Sequence, residues 1–181
     1  VDIRGVNMVG AAVSQDLKNK GFMSLVIANG LLLIYIWFRF QFKYSIGAIL
    51  ALVHDVIITI GFFSFTGREI SLTVIAAFLT IIGFSLNDTV VIYDRIRENI
   101  KKAAGSYDLG NLISASISQT LSRTILTSMT VFIVCLCLFL FGGSVIHDFA
   151  FAMLVGVVSG VYSTVFIASP IILSLPGVNK Q

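Results

Sequence analysis

The sequence predicts an all-α fold: a polytopic membrane helix bundle with five transmembrane helices. Charged residues make up only 12% of the chain and hydrophobic residues 57%, whereas a soluble domain carries about 25% charged residues. The mean hydropathy is +0.98, a value typical of an integral membrane protein. Five separate stretches also reach the length of about 20 mostly apolar residues that a membrane-spanning helix needs.

The five predicted spans follow one another along most of the chain. They cover residues 22–38, 44–65, 70–93, 124–141 and 149–175. In the last span we expect Pro170 to bend or end the helix, because proline has no backbone N–H to donate. Residues 1–20 are mostly polar or small, and we expect them to be the exit of a domain that begins earlier in the protein. The bundle would then occupy residues 21–176 and a short tail residues 177–181.

The link between the third and fourth spans, residues 94–123, is long and ionic. Its first part, "DRIRENIKKAAG", predicts a helix that ends at Gly105, since glycine is common just after helix C-termini. Its second part, "DLGNLISASISQTLSR", predicts a separate short helix along the membrane surface. Together they predict an amphipathic link outside the membrane.

The distribution of basic residues predicts the orientation. With five spans the links alternate between the two sides of the membrane. One side carries Arg39, Lys43, Arg95, Arg97, Lys101, Lys102, Arg123 and Lys180, and the other carries Arg4, Lys18, Lys20 and Arg68. The positive-inside rule places the first side in the cytoplasm. The N-terminal part is then outside and the C-terminus inside, and no basic run indicates binding to nucleic acid.

Three ionisable residues fall within or at the edge of the apolar spans. Asp55 lies near the middle of the second span, and Asp88 lies six residues before Asp94 at the end of the third. Arg123 begins the fourth span. A charged group inside a span costs about 2.5–3.5 kcal/mol and usually faces the bundle interior or water. The two carboxylates are candidates for reversible proton uptake, with Arg123 favouring the charged form; the alternative is that they are hydrogen-bonded structural groups.

Small and polar residues at helical spacing support these positions. The four stripes are Gly47, Ala51, Asp55 and Thr59; Thr80, Gly83 and Asn87; Thr120, Arg123, Thr127 and Thr130; and Ala152, Gly156, Gly160 and Thr164. We expect all four to face the interior, the last as a packing seam. The predicted supporting polar residues are Asn87, Thr89, Thr59, Thr127 and His54. His54 is either a packed histidine or a proton relay, and we expect His147 and Asp148 to lie at the membrane interface.

The sequence lacks the parts of an enzyme. It contains neither H-E-x-x-H nor G-x-S-x-G, its two histidines do not make a metal site, and Cys135 and Cys137 are predicted to be small apolar fillers. Tyr93-Asp94 is faintly similar to an intramembrane aspartyl protease motif, but it lies at the membrane edge without the partner motif. We therefore predict no enzymatic activity and no cofactor, but transport or energy coupling, with a purely structural membrane module as the alternative.

Three segments resemble signatures of the SecF family, the smaller subunits of the SecDF accessory complex of bacterial protein export. They are "GAILALVHDVIITIGFFS", "SLNDTVVIYDRIREN" and "QTLSRTILTSMTVFI", on three successive predicted helices. The resemblance extends over residues 9–175. It implies an RND-type (resistance-nodulation-division) six-helix half, with SecD as the other half. It also implies that the first helix and most of the periplasmic domain of the family are missing here.

The resemblance also implies a function. Members of the family couple proton movement through the bundle to late-stage export of preproteins in the bacterial inner membrane, so the energy source is a proton gradient. The implied partners are a SecD-like subunit, the SecYEG channel, the translocating preprotein and membrane lipid. Asp88 of the N-D-T motif is then the proton-carrying acid, Arg123 its functional partner, and Asp55 a further signature residue. Alternatives are half of a proton-driven RND small-molecule exporter and a stabiliser of the translocon without proton coupling.

Overall fold

The described part of this computed structural model consists of helices joined by short links. It comprises residues 15–16, 19–24, 26–28, 30–31, 34, 42–103 and 107–174. The main elements are α1 (Phe42–Phe65), α2 (Leu72–Lys102), α3 (Leu109–Phe141), α4 (Ser144–Ser163), a π-helix (Thr164–Ala168) and α5 (Ser169–Ser174). The predicted all-α class is confirmed.

Four helical stretches among the described residues are long and apolar enough to cross a membrane. They are Tyr44–Phe65, Leu72–Lys102, Leu109–Phe141 and Ser144–Ser174, and they correspond to the second to fifth predicted spans. The predicted first span, residues 22–38, lies largely outside the described residues, although those of its residues that are described are helical. Most of the predicted domain exit and all of the predicted tail also lie outside them.

The ionic link differs from its prediction. Residues 94–102 continue α2 and residues 109–123 begin α3, so no separate surface helix forms between 108 and 123 and that prediction is wrong. The C-cap of α2 is Ala103, and Gly105 lies outside the described residues.

Contacts between the two helices explain this continuity. The Asn99 side-chain amide of α2 donates to Ser116 Oγ at 2.8 Å and to Gln119 Oε1 at 3.0 Å, both on α3. Asp108 caps the start of α3 by accepting from the Gly110 backbone N–H at 2.9 Å. The beginning of α3 therefore packs on α2, which satisfies polar groups that a helix lying alone on a membrane would expose to solvent.

The last predicted span begins earlier than its pattern suggests, and its helical structure passes Pro170. Only Gly142 and Gly143 separate α3 from α4, and helical structure continues past Pro170 to Ser174. Pro170 does not end the helix. Instead, the five residues Thr164–Ala168 before it form the π-helix, which accommodates a residue that cannot complete a regular α-helical turn.

Helix α4 contacts α1, α2 and α3 and so occupies the centre of the described bundle. The predicted small-residue seam is confirmed as its packing face: Ala152, Gly156, Gly160 and Thr164 are all buried. A Cβ atom on Gly156 would lie 2.3 Å from Ile81 Cδ1 of α2, and one on Gly160 would lie 3.3 Å from Ser85 Cβ. Glycine is therefore required where α4 crosses α2.

The two short links lie together at one end of the bundle. Arg68, between α1 and α2, forms an ion pair with Asp148 of α4 and hydrogen-bonds to His147 Nδ1 at 3.0 Å. The guanidinium carbon of Arg68 also lies 4.5 Å from the centre of the Phe151 ring. The predicted interfacial pair His147 and Asp148 thus lies, half-buried, at the end of the bundle where α4 begins.

Candidate functional site

Asp55 lies in the middle of α1 with its carboxylate fully buried between three helices. Its Oδ1 accepts a hydrogen bond from Ser159 Oγ at 2.7 Å. Its Oδ2 accepts hydrogen bonds from Ser85 Oγ at 2.7 Å and from Ser163 Oγ at 2.8 Å. Ser85 belongs to α2 and the other two serines to α4, so this one carboxylate ties α1 to both neighbouring helices.

The residues around Asp55 on α1 fit this arrangement. His54 Nδ1 lies 3.3 Å from Asp55 Oδ1, and the His54 ring lies 5.9 Å from the Tyr162 ring of α4. The Thr59 hydroxyl donates to the Asp55 backbone carbonyl at 2.8 Å. The predicted interior stripe on α1 is confirmed, since Gly47, Ala51, Asp55 and Thr59 are all buried.

Asp88 lies on the buried face of α2 and is only 4% exposed. Among the described residues its Oδ2 accepts one hydrogen bond, a long contact of 3.4 Å from Ser128 Oγ of α3. Hydroxyl-to-oxygen hydrogen bonds are usually about 2.7–2.8 Å long. Asp88 is therefore held far more loosely than Asp55.

Arg123 lies on α3, and its side chain is exposed on the surface of the described bundle. It lies on the same helix as Ser128, the residue that contacts Asp88, and no ion pair within 4.0 Å joins the Arg123 and Asp88 side chains among the described residues. Asp88 and its predicted partner Arg123 therefore lie on adjacent helices and are not held together by an ion pair among the described residues.

Two predicted interior stripes are wrong in their register. Thr80, Gly83 and Asn87 are all exposed on α2. The buried polar residues of this helix are Ser85, Asp88 and Thr89. The supporting residue Asn87 is therefore on the exposed side of α2, whereas Thr89 is buried in the bundle.

On α3 the predicted polar face is interior only at Thr120, which is buried as predicted. Arg123 and Thr130 are exposed and Thr127 is half-buried, with its hydroxyl donating to the Arg123 backbone carbonyl at 3.0 Å. The buried polar side chains near the site are Thr120, Thr124 and Ser128. Thr127 therefore supports the backbone of α3 and does not contact either carboxylate.

Sequence reasoning missed several residues that complete the site. These are Ser85, Ser128, Ser159 and Ser163. The available signal was their spacing: Ser85 precedes Asp88 by three residues, and Ser159 and Ser163 are four residues apart beside Gly160. Such spacing places side chains on one helix face, but it does not show which helix that face meets.

The arrangement offers two buried carboxylates with different surroundings among the described residues: Asp55 accepts from three hydroxyls, and Asp88 accepts one long hydrogen bond from the helix that carries Arg123. In the part of the chain that the structure describes, no three His, Cys, Asp or Glu side chains group as a metal site needs. The chemistry available here is proton exchange and hydrogen bonding.

Comparison with protein families gives one extensive match. The model described as "Protein export membrane protein SecD/SecF, C-terminal" matches residues 1–177.

Curated relatives agree with this match. The chain is 47% identical over 180 residues to a protein translocase subunit SecF from Calditerrivibrio nitroreducens, covering 99% of this chain and 59% of the relative. It is 43% identical over 181 residues to the SecF subunit from Vibrio alginolyticus, covering 100% of this chain and 57% of the relative. The chain thus spans little more than half of these relatives.

Two solved structures share the fold. A crystal structure of SecDF from Thermus thermophilus, described as a translocon-associated membrane protein, superposes with a TM-score of 0.82 at 42% identity, covering 87% of this chain and 22% of that one. A SecDF structure in the super-membrane-facing form gives a TM-score of 0.75 at 45% identity, covering 80% and 20%.

Proposed function

Because this chain belongs to the SecD/SecF family of protein export membrane proteins and matches its SecF subunits, we propose that its bundle couples proton movement to late-stage preprotein export. The observation that carries the proposal is Asp88, a buried carboxylate that accepts, among the described residues, one long hydrogen bond from the helix that carries Arg123. Proton gradients are an adequate source of energy, since one charge moving across 100 mV yields about 2.3 kcal/mol.

Asp88 is the proton carrier in this proposal, and Asp55 is not. A carrier must gain and lose a proton repeatedly, and Asp88 can do so without breaking a short hydrogen bond. Asp55 is engaged by three hydroxyls at 2.7–2.8 Å, and a change there would disturb three helices at once. We assign Asp55 a structural role that holds α2 in position.

Arg123 is the fixed charge in this proposal. An arginine remains protonated at all physiological pH values, so its charge stays constant while that of Asp88 changes. No ion pair joins the two described side chains, and proton uptake at Asp88 therefore does not require an ion pair to break.

The exposed stripe on α2 supports a SecD-like partner. Thr80, Gly83 and Asn87 present small and polar groups on the outside of this chain, and an amide facing lipid would leave its hydrogen bonds unsatisfied. Small residues also allow a second helix to approach closely. A Gly83→Leu variant that still copurifies with the SecD-like subunit at the parental ratio would place the partner elsewhere.

The remaining partners follow from the family. They are the SecYEG channel, the preprotein passing through it and the lipid around the bundle, all in the bacterial inner membrane. The excess of basic residues places the link between α2 and α3 in the cytoplasm. The end that holds Arg68 and Asp148 then faces the periplasm.

The experiment that tests the proposal is preprotein translocation into membrane vesicles with and without an imposed proton gradient. It uses the full-length protein with its SecD-like subunit and compares the parent with Asp88→Asn. Loss of the gradient-dependent component supports proton coupling. An unchanged response in Asp88→Asn would favour the alternative of a translocon stabiliser without proton coupling.

A further inference from the structure

The π-helix Thr164–Ala168 interrupts the last membrane span beside the site. The Ser169 backbone N–H donates to the Thr164 carbonyl, five residues earlier, and the Ser169 hydroxyl donates to the same carbonyl at 2.9 Å. Pro170 explains why the wide turn forms, because its ring would conflict with the Phe166 carbonyl in a regular α-helical turn. Such single wide turns occur frequently at functional sites.

Both ends of the π-helix are hydrogen-bonded to α2. Thr89 Oγ1 and Thr164 Oγ1 lie 3.1 Å apart. Because the Thr89 hydroxyl donates its proton to the Ser85 carbonyl at 3.0 Å, Thr164 is the donor to Thr89. At the other end, the Tyr93 hydroxyl donates to the Ala168 carbonyl at 2.9 Å.

These contacts begin next to the proposed proton carrier. Thr89 follows Asp88 by one residue and Tyr93 follows it by five. Thr89, Tyr93, Thr164 and Ala168 are all buried, with exposed fractions of 0–2%. The turn of α2 that carries Asp88 is therefore joined to the π-helix through bonds from which solvent is excluded.

Helix α1 packs against the hydrogen bond between the Tyr93 hydroxyl and the Ala168 carbonyl. A Cβ atom on Gly47 would lie 2.4 Å from Tyr93 Oη and 2.8 Å from the Ala168 carbonyl oxygen. The Tyr44 ring lies 5.5 Å from the Tyr93 ring on the same side. The Tyr93 hydroxyl thus has no free space into which it can turn away from Ala168.

We propose that the π-helix is a hinge, and that Thr89 and Tyr93 are the positioning residues that transmit the protonation state of Asp88 to it. This inference rests on the proposed function. A change of one residue in the π-turn would rotate the following segment, α5, by about 100° relative to α4. The charged and titratable groups around this turn of α2 are Arg123 on α3 and Tyr44 and Asp55 on α1, while α4 and the π-helix contribute hydroxyls.

The functional test removes single hydroxyls without changing side-chain size. Tyr93→Phe and Thr89→Val are compared with Tyr107→Phe and Ser45→Ala, whose buried hydroxyls have no hydrogen-bond partner among the described residues. In the full-length protein with its SecD-like subunit, we expect gradient-driven preprotein translocation to fall about fivefold in each test variant, the factor that one buried hydrogen bond is worth. We expect the two control variants to stay within about twofold of the parent. Equal losses in test and control variants would overturn the hinge.

A spectroscopic experiment tests whether Tyr93 responds to the protonation state of Asp88 or has only a structural role. Full-length protein labelled with ¹³C-tyrosine is placed in lipid bilayers, and the Tyr93 Cζ resonance is identified by its absence in Tyr93→Phe. We expect this resonance to move with pH in the parent, in step with translocation, and to stay fixed in Asp88→Asn. If it is independent of pH in the parent while Asp88→Asn abolishes the gradient response, the hinge is wrong and the proposed function stands. If Asp88→Asn keeps the gradient response, the proposed function itself is wrong.

Discussion

The Ser85 hydroxyl of α2 donates to Asp55 of α1 at 2.7 Å, three residues before Asp88 on the same helix. The buried Asp55 carboxylate thereby holds α2, the helix that carries Asp88. The positions of Asp55 and Asp88 in apolar sequence are similar, but their hydrogen bonding assigns them different roles. The predictions below test these roles and the packing that supports them.

Asp55 is predicted to matter for stability. Asp55→Ala leaves the buried Ser85 and Ser159 hydroxyls without their acceptor and Ser163 with the Gly160 carbonyl at 3.2 Å, and we expect it to lower the free energy of unfolding by about 2–4 kcal/mol. Ser85→Ala removes one of the three bonds and is expected to cost about 1 kcal/mol. The measurement is denaturation of the purified full-length protein in detergent. Ser45→Ala is the control, because the buried Ser45 hydroxyl has no hydrogen-bond partner among the described residues; a larger loss in it than in Ser85→Ala would contradict this role for Asp55.

Gly156 is predicted to be required where α4 crosses α2. A Cβ atom there would lie 2.3–2.8 Å from three carbons of Ile81, and we expect Gly156→Ala to destabilise the protein by about 1–3 kcal/mol. Gly61→Ala is the control, because no described atom approaches its Cβ position within 4 Å. The second change Ile81→Ala should restore part of the loss, and an unaltered melting temperature in Gly156→Ala would show that the helices do not meet there.

Parts of this architecture were predictable from sequence, and the reason differs between residues. The acids at Asp55 and Asp88 were identifiable because ionisable groups in apolar spans are rare. The side of each helix that faces the bundle interior was not identifiable, because in a membrane helix the lipid-facing and protein-facing sides are both apolar. The stripe that includes Asn87 was therefore assigned to the interior, although the buried face lies about 100° away at Asp88.

The sequence alone could not predict which residues hydrogen-bond to Asp55 or how the ionic link folds, and the two reasons are related. Serines such as Ser159 are common in membrane helices, and only the crossing of α4 with α1 brings that hydroxyl to the carboxylate. The helix pattern after Asp108 was recognised, but its union with the fourth span depends on contacts with Asn99 of α2. Both features are set by packing between helices that are distant in sequence.

The orientation of the bundle is predicted by its basic residues. Lys101 is exposed at the end of α2 that we place in the cytoplasm. A Lys101→Cys variant, in a background without Cys135 and Cys137, should resist membrane-impermeant thiol reagents in intact cells until the membrane is opened. Glu69→Cys, exposed at the opposite end, is the matched control and should react at once. Ready labelling of Lys101→Cys from outside would show that this end of α2 is not cytoplasmic.

Arg123 is predicted to act by its permanent charge. We expect Arg123→Ala to reduce gradient-dependent preprotein translocation by more than about tenfold, while Arg123→Lys, which keeps the charge but not the planar donor group, retains part of it. Lys102→Ala is the control for loss of a basic residue near the cytoplasmic side and should behave as the parent. Full activity in both Arg123 variants would show that Arg123 has no role in gradient-dependent translocation and only anchors α3 at the membrane edge.

The measurement that tests the central claim most directly is the gradient dependence of export in Asp88→Asn. Asparagine is nearly the same size as aspartate and still accepts hydrogen bonds, but it does not titrate. The full-length variant should assemble with the SecD-like subunit and lose both its response to an imposed proton gradient and its proton conductance. Asp88→Glu should keep part of both, and Asp108→Asn, an acid-to-amide change at an exposed helix cap, should keep all of both. A response of Asp88→Asn to the gradient equal to that of the parent would contradict the assignment of Asp88 as the proton carrier.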